Sequence, residues 1–303
     1  CIRDSGTTQA TNALLEGDVA KVGVVTLGQG IQGAKSRSDT TIGNIELAPG
    51  KFLNSENQYV DTSVQDVDQA IRTALEMLKK QGCTSFVAAE AFSVDDPARE
   101  NRTVELCKEM ELPGTATNDI SKLYGLKIRT RTAVVNASIM PKMLEAATMT
   151  DTSIKSAGIE SPLMVMRCDG GVMTVDEVRN RPILTILSGP AAGVAGAHMY
   201  EKLTDGLFFE VGGTSTDISC VKDGKVMIRY AEVGGHKTYL NSLDVRTVGI
   251  GGGSMVEIKN GKAVDMGPRS AHIAGLEYEV YTPAEKIVDP KLVAVRPMET
   301  DPE

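Results

Sequence analysis

Tryptophan is missing from these 303 residues, aromatic side chains make up only 4% of them, and histidine occurs three times. A nucleic-acid surface of basic residues interleaved with aromatics is therefore excluded. The charge agrees: 32 Lys and Arg stand against 40 Asp and Glu, and the net charge of −8 has the wrong sign for phosphate backbones or anionic lipid. No apolar run reaches the roughly 18 residues that a membrane-crossing helix requires. The five cysteines, Cys1, Cys83, Cys107, Cys168 and Cys220, are scattered and odd in number, without a Cys-x-x-Cys pair. That pattern leads us to expect a reduced, cytoplasmic protein with no nucleic-acid or membrane partner. His198, His236 and His272 stand alone and read as surface or packed imidazoles, not ligands.

What is present is a 41% hydrophobic chain, enough for one large or two medium domains with real cores. Its chemistry concentrates at Leu207–Val221. Leu207-Phe208-Phe209-Glu210 reads as a buried strand, Gly212-Gly213 as a tight turn, and Ile218 to Val221 as a returning strand. Lys222-Asp223-Gly224-Lys225 then reads as a second hairpin turn. Without Cβ atoms, Gly212 and Gly213 let successive N–H groups approach a phosphate. Thr214, Ser215 and Thr216 add hydroxyls. Glu210 and Asp217 flank the bend as candidate catalytic and metal residues, able to hold the water shell of Mg²⁺, a hard cation that prefers oxygen. A Gly-Gly-Thr turn alone reads more simply as an ordinary hairpin. The flanking carboxylates and a second glycine cluster, Gly251-Gly252-Gly253, favour the phosphate reading, with the bare main chain of that cluster suited to a flat ring.

Along the chain, residues 6–16 read as a helix, 21–27 as a buried strand, and 31–60 as polar loops with short strands. Asp66 opens a helix carrying Val67, Ile71, Ala74, Leu75 and Leu78 at helical spacing. Residues 86–92 form the next strand, and Asp96-Pro97 opens another helix. This alternation predicts an α/β layer with parallel strands. The basic residues Lys122, Lys127, Arg129 and Arg131 read as a solvated face from which Arg129 or Arg131 could reach a cleft. Thr132 to Met149 reads as a helix interrupted by Pro141, Leu163–Arg167 as a buried strand, and Asp169-Gly170-Gly171 as a turn. Thr174 starts a helix, Ile183–Leu187 is a short strand, and Ser188-Gly189-Pro190 leads into a helix whose small residues permit close packing. Val245–Ile250 reads as a strand, and Met255–Val264 as a hairpin around Asn260-Gly261. Without an initial Met, and with Cys1-Ile2-Arg3-Asp4 resembling adapter-encoded residues, the natural polypeptide is expected to extend beyond both ends.

Several motifs occur in a telling order: Gly6-Thr7-Thr8 through Thr11-Asn12-Ala13-Leu14-Leu15-Glu16, Asp169-Gly170-Gly171-Val172-Met173 and Ser188-Gly189-Pro190-Ala191-Ala192-Gly193. Gly212–Asp217, Thr247-Val248-Gly249 with Gly251–Ser254, and Gly267-Pro268-Arg269-Ser270-Ala271 follow. Together they resemble the A-type subunit of the hydantoinase/oxoprolinase family. The resemblance implies an actin-like ATPase fold, ribonuclease H-like and shared with sugar kinases and Hsp70 chaperones. An N-terminal domain over residues 6–124 and a core domain over 125–303 are implied. So is ATP-driven opening of a cyclic amide such as a hydantoin or 5-oxoproline. In that chemistry a phosphoryl group from ATP, with Mg²⁺, activates the ring carbonyl before water attacks. Carried over, Gly212, Gly213, Thr214, Thr216 and Asp217 would be a phosphate-binding hairpin and Gly251, Gly252 and Gly253 the nucleoside contact. Thr7, Thr8 and Asn12 would lie near the cleft. A B-type subunit is the implied partner.

This chain departs from the family at three points. The family's Asp-x-Gly-Gly-Thr hairpin, a first phosphate grip, is absent, so residues 1–303 are expected to fold imperfectly or to hold ATP weakly, and to be inactive alone. Glu210 stands where the family usually has Asp, and Arg246 where many members have His. Two other functions share the same features: a subunit of an ATP-dependent ketone carboxylase, and a non-enzymatic actin-like nucleotide switch acting on a partner.

Overall fold

A computed structural model describes residues 5–202, 204–259, 262–270, 275 and 281–287. The chain is a mixed α/β protein whose described residues gather into two compact units. One takes them from residues 1–192 and 228–243, the other from 193–227 and 244–303.

The first unit begins with α1 (Ser5–Glu16), β1 (Val22–Gly28), α2 (Gly30–Thr40) and a hairpin of β2 (Ile45–Ala48) and β3 (Lys51–Leu53). Next come β4 (Ser55–Asp61), α3 (Val67–Lys80), β5 (Ser85–Glu90), α4 (Ala98–Glu109), β6 (Gly114–Ala116) and α5 (Thr117–Ile120). The expected parallel sheet is present, in the order β4-β1-β5-β6. Strand β5 is buried along its whole length and β1 along all but its last residue, the signature of strands covered on both faces. Asp66 caps α3 by accepting from Gln69 N at 2.9 Å, and Ile71, Ala74, Leu75 and Leu78 form its buried stripe.

Residues 31–60 contain the expected short strands, β2 and β3, but they also hold α2 and the full-length sheet strand β4 where loops were expected. Their polarity hid them because α2 buries Gly33, Ser36 and Thr40 in place of an apolar stripe. Thr40 and Thr26 hydroxyls meet at 2.5 Å, and Asn57 Nδ2 donates to Thr26 Oγ1 at 2.8 Å. A polar cluster packs this layer.

Helix α6 (Leu126–Ser156) is longer than expected and runs through Pro141 without interruption. The proline removes one N–H from the ladder, but burial of Ile139, Met140, Met143 and Ala147 on either side holds the helix together. Arg129 does not sit on a solvated face. It is 1% exposed, and its guanidinium donates to Thr117 Oγ1, Leu123 O, Glu90 O and Ser93 Oγ.

Strands β7 (Met164–Met166) and β8 (Val172–Thr174) form a hairpin around Asp169-Gly170-Gly171, closed by Arg167 N donating to Gly171 O at 2.7 Å. Strand β7 is not buried as expected, since a two-stranded hairpin leaves Met164 exposed and Val165 and Met166 only half-covered. Thr174 caps α7 (Val175–Asn180). The strand expected at Ile183–Leu187 is instead a 3-10 turn over Pro182–Thr185, because Asn136 on α6 bridges it, accepting from Ile183 N and donating to Asn180 O. Helix α8 (Ser188–Glu201) follows.

The second unit carries β9 (Gly206–Val211), β10 (Thr216–Lys222) and β11 (Lys225–Val226). Strand β9 is not the buried strand expected, because Leu207, Phe209 and Val211 stand exposed on one of its faces. Asp223 and Gly224 take φ 51° and 68°, the paired positive angles a two-residue hairpin turn needs. The chain then gives β12 (Ile228–Val233) and β13 (His236–Leu243) to the first unit before returning as β14 (Val245–Val248), β15 (Ser254–Lys259) and β16 (Lys262–Ser270). Central β10 pairs antiparallel with β9 on one side and with β14 and β11 on the other. The expected Asn260-Gly261 turn, His272 and Cys1 lie outside the described residues. Cys83, Cys107, Cys168 and Cys220 are free thiols, and no helix among the described residues is long and apolar enough to cross a membrane.

Candidate functional site

The bend between β9 and β10 gathers the residues that the sequence singled out. Register places Glu210 directly across from Asp217, and Asp217 directly across from Thr247 on β14. Directly paired residues project from the same face of a sheet. Two carboxylates so opposed repel each other unless a donor or cation stands between them. Thr247 Oγ1 supplies one donor, at 2.5 Å from Asp217 Oδ1. Glu210 extends over Gly193 of α8, where any Cβ would collide with its Oε2.

Gly212 N donates to Ser215 O at 2.9 Å, which folds residues 212–215 back on themselves. Among the described residues, the N–H groups of Gly213, Thr214 and Ser215 carry no hydrogen bond. Three successive amides on an exposed loop are thereby left open to an acceptor.

The second glycine cluster is fastened to this loop. Gly252 N donates to Gly212 O and Gly253 N to Gly213 O, both at 2.8 Å, while Thr216 Oγ1 donates to Ile250 O at 2.6 Å. A Cβ on Gly251 would stand 2.5 Å from Gly212 O and 2.8 Å from Ser215 N. Gly251 is thus needed for contact between two main chains, a reason the sequence reading, which looked to a flat ligand ring, did not supply. The same network explains why two glycine-rich stretches so far apart belong to one structure.

These groups suit a hydrated Mg²⁺. Such an ion keeps several waters and takes one or two carboxylates together with phosphate oxygens, which Glu210 and Asp217 can provide. A closed structural metal centre does not fit, because no cluster of three or more His, Cys, Asp or Glu occurs among the described residues.

Thr214 is exposed at the tip of the loop. Arg246 is paired with Ile218, one position from Thr247, and so lies on the sheet face opposite the carboxylates. Asn12, also singled out, is an exposed residue of α1 in the first unit. Thr247, Gly193 and Ser254, whose Oγ accepts from Gly251 N at 2.8 Å, were missed as site residues. The run of small residues around Gly193 had signalled close packing, but not what packs there.

Two family profiles match the chain: "Hydantoinase/oxoprolinase N-terminal region" over residues 4–111 and "Hydantoinase/oxoprolinase" over residues 129–283. This chain belongs to the hydantoinase/oxoprolinase family. Curated relatives include the caprolactamase subunit alpha of Pseudomonas jessenii, 25% identical over 302 residues that cover 88% of this chain and 41% of the relative. The acetophenone carboxylase gamma subunit of Aromatoleum aromaticum is 26% identical, covering 88% of this chain and 40% of its own. The 5-oxoprolinase of Saccharomyces cerevisiae is 28% identical over 210 residues, 67% of this chain and 16% of that protein. The chain therefore spans well under half the length of these relatives. Among solved structures, the ATP-dependent caprolactamase of Pseudomonas jessenii superposes with a TM-score of 0.63 at 24% identity, over 88% of this chain and 41% of that one. Nucleotide-free acetone carboxylase superposes with a TM-score of 0.61 at 20% identity, over 86% and 41%. Both share the fold.

Proposed function

We propose that this hydantoinase/oxoprolinase chain carries a phosphate grip of an actin-like ATPase, in which ATP and Mg²⁺ drive the opening of a cyclic amide such as a hydantoin, 5-oxoproline or a related lactam. The supporting observation is the pair of glycine loops locked main chain to main chain beside Glu210 and Asp217. ATP would supply a phosphoryl group to the ring carbonyl oxygen, turning a poor electrophile into one that water attacks. The free amides of Gly213, Thr214 and Ser215 would receive phosphate oxygens, and Glu210 and Asp217 would orient the hydrated Mg²⁺. Since these groups are fixed before the nucleotide arrives, catalysis would come from positioning and charge stabilisation. Residues 6–124 and 125–303 would act as N-terminal and core domains, with a B-type subunit as partner in the cytoplasm.

A second reading is a subunit of an ATP-dependent ketone carboxylase, favoured by the similarity to the acetophenone carboxylase gamma subunit. Phosphate release by the full-length protein with its partner subunit distinguishes the two. Dependence on a lactam supports the first reading, dependence on bicarbonate plus a ketone supports the second, and cleavage of ATP that ignores both rejects both.

A further inference from the structure

The first unit holds another site, at the carboxyl ends of its parallel strands. Strand β1 leads through α2 to β4 on one side, whereas its neighbour β5 leads through α4 to β6 on the other side. Helix α2 packs with α6, and α4 with α3. With right-handed crossovers, α2 and α4 therefore cover opposite faces of the sheet. The chain connections diverge between β1 and β5, and such a switch point opens the crevice in which open α/β sheets bind ligands. A cleft of about 220 Å³ occupies this place, lined in part by Gln29, Gln32, Thr62, Glu90 and Arg99.

Unused donors and one buried acceptor define its chemistry. Arg99 gives one N–H to Glu90 Oε1 at 2.8 Å, and the rest of its half-exposed guanidinium has no partner among the described residues. The Thr62 hydroxyl is buried without a hydrogen-bond partner. The turn Gly28-Gln29-Gly30-Ile31-Gln32-Gly33 starts α2 with no side-chain cap and no acidic residue in its first turn. Glu90 is 8% exposed and presents a carboxylate to the same space. Phe92, held at φ 60°, also lines the cleft, and a bulky residue in that region signals a locally constrained loop.

We propose that the cleft binds a small molecule joining a carboxylate to an N–H donor, with the carboxylate on Arg99 and the N–H on Glu90. A neutral ligand would leave the guanidinium unmatched, and a compact dianion would meet Glu90 and Asp96 as well as Arg99. The test is calorimetric titration of the full chain with N-acetylglycine, alongside uncharged N-acetylglycinamide and inorganic phosphate. Expected is one-to-one binding of N-acetylglycine, with at least about tenfold weaker binding of the other two probes, because charge-assisted hydrogen bonds are lost. Arg99→Gln should weaken N-acetylglycine at least about tenfold. Gln32→Glu, at an exposed position that leaves the Arg99–Glu90 pair intact, should do the same by setting a like charge at the turn. Circular dichroism checks that both variants fold. No binding to the wild-type chain, equal binding of the acid and its amide, preference for phosphate, or unchanged affinity in a folded variant would each overturn the assignment.

Discussion

Gly193 lies beneath the carboxylate of Glu210, and a Cβ at residue 193 would overlap Oε2 and come within 3.6 Å of the Phe208 ring. Gly193→Ala is therefore expected to push Glu210 from its position opposite Asp217. ATP cleavage by the full-length protein should fall by about tenfold or more. Gly196→Ala, three residues along the same helix and with nothing within 4 Å, should leave cleavage unchanged and raise stability by up to about 1 kcal/mol through helix propensity. Phosphate release and thermal melting of the two variants check the contrast.

Asp217→Asn removes one of the two opposed charges while keeping a partner for Thr247. In Mg²⁺-free buffer the thermal midpoint should stay level or rise, because cross-strand repulsion is relieved. Addition of Mg²⁺ and ATP should stabilise the wild-type protein but not the variant. Dye-monitored melting with and without both ligands reads this directly.

Arg129 is a structural residue. Its guanidinium satisfies Thr117 Oγ1, Ser93 Oγ and the carbonyls of Glu90 and Leu123 from a buried position. Arg129→Met should cost about 3 kcal/mol or more, since several buried acceptors lose their donor. Arg129→Lys should recover little of that loss, because an ammonium cannot reproduce the planar fork. Urea unfolding curves measure both.

Burial raises the pKa of Glu90 above its ordinary value, with Arg99 opposing the shift only in part. A carboxyl whose folded pKa is raised holds its proton longer in the folded state. Its contribution to stability is therefore complete below the unfolded pKa and is lost as pH rises through the folded one. Glu90→Gln should gain stability relative to wild type as pH rises from about 4 to 7, followed by urea midpoints across that range.

The thiols should react unequally. Burial pushes Cys107 and Cys168 up to about 12 and raises Cys83, whereas Cys220 is exposed. A brief pulse of iodoacetamide near neutral pH, read by peptide mass spectrometry, should modify Cys220 and leave Cys83, Cys107 and Cys168 for denaturant to uncover.

Much of the fold was legible because local chemistry and packing agreed. Asp66 and the stripe from Ile71 to Leu78 announced α3, Asp223-Gly224 announced its hairpin, and the alternation of strands with helices announced a parallel sheet. Three of the misreadings share one cause: polar or proline-bearing residues buried by tertiary contacts. Thr26, Thr40 and Asn57 satisfy one another across α2 and β4, Asn136 bends Ile183 out of a strand, and the burial of Met140 and Met143 carries α6 through Pro141. Of the candidate site, Glu210, Asp217 and both glycine loops could be named from their residue types. Their joining could not, because the contact of Gly251 with Gly212 depends on strand pairing that no spacing encodes.

The hairpin of β12 and β13 sets the order in which this chain can be completed. It leaves the second unit after Met227 and re-enters it at Asp244, whose N–H bonds Met227 O at 2.7 Å, while Tyr239 N donates to Thr132 Oγ1 and Leu243 N to Cys168 O in the first unit. During synthesis, the amino-terminal unit must wait for residue 243 to leave the ribosome. Strands β9 to β11 emerge before that unit is finished, yet gain β14 only after it. No single proteolytic cut can separate the two halves intact: cleavage after residue 192 strips the first of its final ribbon.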